Sequence, residues 1–218
     1  MKRFFMIKGV IFDLDNTLYD DRIYIYEMFK IFAKRYEISF EKMKEIFTDE
    51  MRLKSIDIFG DILKRLNIYS KKAHDEMFEI YENLNCLLSL NDDSVEILEF
   101  LQNRGVKMAI VTNGVVGVQK NKIKVLNVKK YIKNIVYARE FGKECEKPHP
   151  KSFLKAVEML NLNPDEVIFI GDNPLTDIKG AKSAGILAYR LLNGHMALFD
   201  CDECNNIKSL LEVKNLIG

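Results

Sequence analysis

Four short apolar runs, each bounded by turn-forming residues, constrain this chain more than any other feature. Residues 10–12 (Val-Ile-Phe) follow Gly9 and close on Asp13. Residues 106–111 close on Thr112-Asn113-Gly114, and residues 167–170 close on Gly171-Asp172. Residues 186–192 follow Gly185. Runs this short, rich in β-branched and aromatic residues, suit strands covered on both faces. A fifth, weaker candidate spans 134–138. Helical spacing fills the intervals. Residues 93–104 stop at Gly105, 150–162 break at Asn163-Pro164, and 176–184 end at Gly185. Strands alternating with helices predict an α/β fold: a three-layer, Rossmann-like parallel sheet with helices on both faces.

The interval 19–91 breaks that rhythm. It carries no convincing strand run, but helical stretches over 24–36, 40–54, 56–66 and 71–84. Met43, Ile46, Phe47 and Met51 recur at the three and four spacing of a buried helix face. The expected organisation is a core of residues 1–18 and 92–218, with residues 19–91 inserted as a helical unit.

Charge excludes some partners. Lys and Arg number 33 against 32 Asp and Glu, so no basic excess marks a nucleic-acid binder. No apolar run approaches the roughly 18 residues of a membrane span. The first eight residues read as the lead-in to the first strand, not an export signal, and the cytoplasm is the expected location. In a reducing compartment disulfides are not expected among Cys86, Cys145, Cys201 and Cys204. Cys201 and Cys204 form one Cys-x-x-Cys, half of a tetrahedral zinc site, and are read as incidental.

The strand ends carry the chemistry. In an open parallel sheet, ligands bind beyond the carboxyl ends of the strands. The first run ends in Asp13-Leu14-Asp15-Asn16-Thr17, and a later one in Asp172, followed by Asp177. Carboxylates gathered there repel one another, and a divalent cation relieves the repulsion. Oxygen-only ligands favour Mg²⁺ over zinc. Each Asp taken singly is equally a turn or helix-cap residue. Thr112, Asn113 and Gly114 can donate hydrogen bonds to a phosphoryl oxygen, although Asn-Gly is also a common turn. Lys147 lies between Glu146 and Pro148. It reads as a fixed positive charge for a phosphate or as a surface lysine. His149 is read as a turn or cap residue. Tyr19 and Asp20 lie close enough in sequence to the first loop to reach a substrate.

Taken together, these segments resemble the haloacid dehalogenase superfamily, whose members are mostly phosphatases. Its four motifs occur in order: Asp13-x-Asp15-x-Thr17, Thr112, Lys147, and Gly171-Asp172 with Asp177. The resemblance covers nearly the whole chain. It implies a nucleophile in Asp13 and an acid–base in Asp15. It also implies Mg²⁺ held by the Asp13 carboxylate, the Asp15 backbone carbonyl and Asp172, with Asp177 in support. Thr112 and Lys147 would hold the transferring phosphoryl group, and Thr17 would steady the loop. The insertion looks like the helical cap of that family's first subclass. The implied substrate is a small phosphorylated metabolite, a nucleoside monophosphate or sugar phosphate, turned over by a monomer or homodimer. Asp15 counts against a dehalogenase, which does not need it. A sugar-phosphate mutase shares Asp-x-Asp and stays open as an alternative. So does an inactive binding protein, which predicts a damaged motif where none is seen.

Overall fold

The structure, a computed structural model, describes residues 6–217. The reading of residues 1–5 as part of a strand lead-in lies outside the described residues. Six parallel strands form one sheet in the order β3-β2-β1-β4-β5-β6. They are β1 (Gly9–Phe12), β2 (Lys107–Thr112), β3 (Asn134–Tyr137), β4 (Val167–Gly171), β5 (Leu187–Leu191) and β6 (Asn205–Ile207). The expected α/β, Rossmann-like sheet is therefore present. The central β1 is in register with both neighbours, Phe12 facing Ile110 of β2 and Ile170 of β4.

Alternation along the central strands builds the three layers. Val10 and Phe12, with Ile110, Ile168 and Ile170, pack one face against α6 (Asp92–Asn103) and α7 (Val116–Val125). Ile11, Ala109, Val111 and Phe169 pack the other face against α8 (Lys151–Leu160) and α9 (Lys179–Ser183). Phe12, Ile11 and Phe169 are fully covered. Each such side chain contributes roughly 1.5–3 kcal/mol relative to exposure.

Between β1 and α6 lie α1 (Arg22–Tyr36), α2 (Phe40–Ile46), α3 (Asp49–Lys54), α4 (Ile58–Arg65) and α5 (Lys71–Asn83). These helices enclose a separate apolar cluster that includes Met28, Phe29, Phe32, Ile62 and Met77. The stretch expected as one helix over 40–54 is two. The hydroxyl of Thr48 accepts from the Met51 N–H at 3.1 Å and starts α3 afresh. The chain leaves and re-enters the sheet layer at one place, where the Asn91 N–H donates to the Leu18 carbonyl at 3.1 Å.

Helix α7 and strand β6 have no counterpart among the expected elements. The segment expected as a helix over 176–184 begins as a π-turn, Pro174–Ile178, before α9. One expectation is corrected: Cys201 and Cys204 are disulfide-bonded. A turn in which the Cys204 N–H donates to the Cys201 carbonyl brings their Cα atoms to 5.5 Å. No helix among the described residues is long and apolar enough to cross a membrane.

Candidate active site

The carboxyl ends of β1, β2 and β4 lie side by side and deliver Asp13, Thr112 and Asp172 to one spot. The Asp13 N–H donates to the Ile170 carbonyl at 2.8 Å, continuing the β1–β4 ladder into the loop that follows β1. Asn16 then adopts a left-handed conformation, φ 58°, and turns the chain. The Asn193 side chain donates to the Asn16 carbonyl at 2.9 Å. The Asp13–Thr17 loop is thus held from β4 and from the segment after β5.

Lys147 is buried, not a surface lysine. Its Nζ lies 2.5 Å from Asp13 Oδ1 and 2.6 Å from Asp177 Oδ1, and donates to the Val111 carbonyl at 3.2 Å. Burial favours the neutral amine, but Asp13 and Asp177 outweigh it and hold the ammonium above its ordinary pKa. Asn113 clamps the backbone at this lysine. Its Oδ1 accepts from the Lys147 N–H at 2.8 Å, and its Nδ2 donates to the Lys147 carbonyl at 3.1 Å. The Gly114 N–H donates to Glu146 at 2.9 Å, from a positive φ of 108° that favours glycine. Asn113 and Gly114, expected to meet a phosphate, thus spend these groups on the 146–147 loop. Thr17 is buried and reaches Asp13 Oδ2 at 3.5 Å, the long limit of a hydrogen bond. Thr112 is buried beside them at the end of β2.

Asp13, Asp172 and Asp177 are buried, with oxygens within 4.8 Å of one another. Burial, then the Lys147 attraction and the Asp177 and Asp15 repulsions, leave Asp13 raised to about 7. Burial and the same crowding push Asp172 well above the carboxylate range. Three crowded carboxyl groups share one ammonium, and the raised proton affinity of Asp13 and Asp172 shows that the cluster favours added positive charge. An all-oxygen cluster in that state fits a hard divalent cation such as Mg²⁺. The carboxylate of Asp15 stands outside this cluster.

Asp15 has its own partners. Lys122 Nζ donates to Oδ1 at 2.6 Å and Gln119 Nε2 to Oδ2 at 2.8 Å, while the Tyr19 hydroxyl donates to Oδ1. Burial opposes ionisation, but Lys122 and these donors hold Asp15 below the ordinary carboxylate range. Lys122 and Gln119 escaped the sequence reading because they sit on α7. The one available signal was their spacing of three, which puts both on one helix face. His149 accepts from the Lys151 N–H at 3.2 Å, as a residue opening α8 does.

The model of the family described as "Haloacid dehalogenase-like hydrolase" matches residues 10–190, which include all four motif segments. The chain belongs to this family. It is 28% identical to a glyceraldehyde 3-phosphate phosphatase of Methanocaldococcus jannaschii, over 97% of each chain. It is also 28% identical to a phosphoglycolate phosphatase of Aquifex aeolicus, covering 88% of each. Among solved structures, a HAD phosphatase from Thermococcus onnurineus aligns with a TM-score of 0.64 and 27% identity, over 97% of this chain and 98% of that one. This haloacid dehalogenase-like hydrolase therefore shares both fold and length with proteins named as phosphatases.

Proposed function

We propose that the protein is a Mg²⁺-dependent phosphatase that hydrolyses a small phosphomonoester through a phospho-aspartate on Asp13. The observation that carries this reading is Lys147, buried between Asp13 and Asp177 at 2.5 and 2.6 Å beside the carboxylate cluster. A fixed ammonium there neutralises a phosphoryl oxygen as charge moves onto it. The Asp13 carboxylate, Asp172 and the Asp15 backbone carbonyl would hold Mg²⁺, which when bound offsets the charge of the carboxylates and the phosphoryl group.

In the first step an Asp13 oxygen bonds to phosphorus. The phosphorus–oxygen bond to the alcohol breaks, and Asp15 gives its proton to the leaving oxygen. In the second step water attacks the same phosphorus and the Asp13–phosphorus bond breaks. Asp15 takes the proton from water. In the free protein Asp15 is ionised, the form the second step needs. The negative charge of an incoming phosphate ester raises its proton affinity for the first. Thr112 would hold a phosphoryl oxygen, and Asn113 and Gly114 keep Lys147 in place. Residues 19–91 act as a cap that covers the site and selects the substrate.

Phosphate release is the direct test. The panel holds sugar phosphates, nucleoside monophosphates, glyceraldehyde 3-phosphate and phosphoglycolate, each with and without Mg²⁺. At least one should turn over without a bisphosphate activator, which separates hydrolysis from mutase chemistry. Chelation should stop it, Mg²⁺ should restore it, and Ca²⁺ should restore it poorly, because Ca²⁺ takes more ligands at longer distances. Full turnover in chelator after metal stripping refutes the metal assignment.

A further inference from the structure

Two side chains of α7, Gln119 and Lys122, converge on the Asp15 carboxylate. Lys122 is an expensive residue to place there. Its side chain is 3% exposed, and burial disfavours an ammonium. A buried ion pair adds little stability over apolar residues of similar volume, so packing alone does not call for a lysine.

The position of Lys122 is fixed by more than Asp15. Its Nζ lies 4.9 Å from the ring centre of Tyr24, 5.7 Å from Tyr81 and 5.8 Å from Tyr19. Tyr24 belongs to α1 and Tyr81 to α5, both in the insertion. Electron-rich ring faces attract a cation, most of all where water is excluded. Helix α7 is bound to the insertion elsewhere too. Asn121 Nδ2 donates to the Leu84 carbonyl at 2.7 Å, and Val118 packs in the insertion's apolar cluster. The group that grips Asp15 is itself gripped by the insertion.

We propose that Lys122, with Gln119 beside it, is the positioning residue for Asp15, and that the insertion's Tyr24 and Tyr81 hold it there. This rests on the role of Asp15 given above. A proton donor helps only when it points at the leaving oxygen, and Asp15 sits on a loop with a left-handed residue directly after it. Two donors on a rigid helix restrict its carboxylate to one orientation. The insertion's hold on Lys122 thereby extends to the acid that serves the leaving group.

The test compares 4-nitrophenyl phosphate with phenyl phosphate, which share a ring but differ in how much their leaving groups need a proton. The proteins are wild type, Asp15→Asn, Lys122→Met and Lys122→Arg, all with Mg²⁺. Asp15→Asn should lose more kcat on phenyl phosphate than on the nitrophenyl ester. Lys122→Met should show the same skew, about tenfold or more, a part of the 10²–10⁴ that acid–base help supplies. KM should move little, and Lys122→Arg should recover most of the loss. If Lys122→Met does not fold by circular dichroism, Gln119→Leu should show a smaller skew in the same direction. Equal losses on both esters in the folded variant, or no loss, overturn the positioning role. A skew in Asp15→Asn without one at Lys122 overturns this inference alone. No skew in Asp15→Asn overturns the acid assignment and this inference with it.

Discussion

Asp13 and Asp15 stand two residues apart and live in opposite surroundings. Around Asp13 the partners come from the sheet side and its own loop: Lys147, the β4 backbone and Thr17, with Asp177 beyond Lys147. Around Asp15 the partners reach toward the insertion: Lys122, under the rings of Tyr24 and Tyr81. The first environment buries Asp13 among other carboxylates and raises it to about 7; the second surrounds Asp15 with Lys122 and other donors, which outweigh burial and lower it. Two carboxylates pushed in opposite directions can take different parts in one reaction. The difference also divides the labour of the proposed enzyme. In the proposed mechanism the sheet end would handle what all phosphate esters share, and the insertion side what distinguishes one alcohol from another.

The sharpest test of the division is Asp13→Asn. It should lower turnover by a factor on the order of 10⁴–10⁶ for every ester, with the fold intact. Substrate-dependent losses would place the nucleophile elsewhere. Asp15→Asn should cost about 10²–10⁴, and the cost should depend on the leaving group. Rapid quench with an aryl ester should trap phosphate on Asp13, and label on another residue would refute the proposed mechanism.

Within the insertion, Arg52 pairs with Asp21 at 2.6 Å, its side chain 3% exposed. Arg52→Met leaves Asp21 buried without its cation and should cost about 3 kcal/mol by urea denaturation, the low end for a broken buried pair since Asp21 keeps some solvent. The pair Arg52→Met with Asp21→Leu should regain much of that. An unaffected Arg52→Met would show that the insertion does not depend on this contact.

The last effect appears only on acidification and concerns the seam between the two regions. His195, in the turn after β5, packs beside α3. Burial first, then Arg52 and Arg22, lower it from 6.5 to about 4. Between those values the unfolded chain binds a proton that the folded chain refuses. Stability should therefore fall as pH drops from 6.5 toward 4 and change no further from this group below it. His195→Gln should flatten the stability curve in that window. An unchanged slope would remove His195 from the seam's pH response.

The sheet end was legible because its rules are local. A strand's apolar run stops where the ligand site begins, so Asp13, Thr112 and Asp172 stand at readable places. Their mutual contacts were not readable, and neither was the clamp of Asn113 on Lys147, which joins residues 34 positions apart. Helix α7 was missed for a physical reason. Its buried face includes Gln119 and Lys122, so apolar periodicity fails there. The residues that hide the helix are the ones that hold Asp15. Strand β6 buries only Ile207 of its three residues, too little pattern for a strand to show.

The hydrogen bond from Asn91 to Leu18 has a consequence for how such a molecule can change. Both crossings between the sheet layer and the insertion run through this single stitch, so the lobe hangs from a neck two chains wide. Its length and shape can vary without altering the strand register that sets Asp13 beside Asp172. Transplanting the lobe of another family member between those two residues should exchange the accepted alcohol, with full turnover only where the new lobe also covers Lys122 as Tyr24 and Tyr81 do.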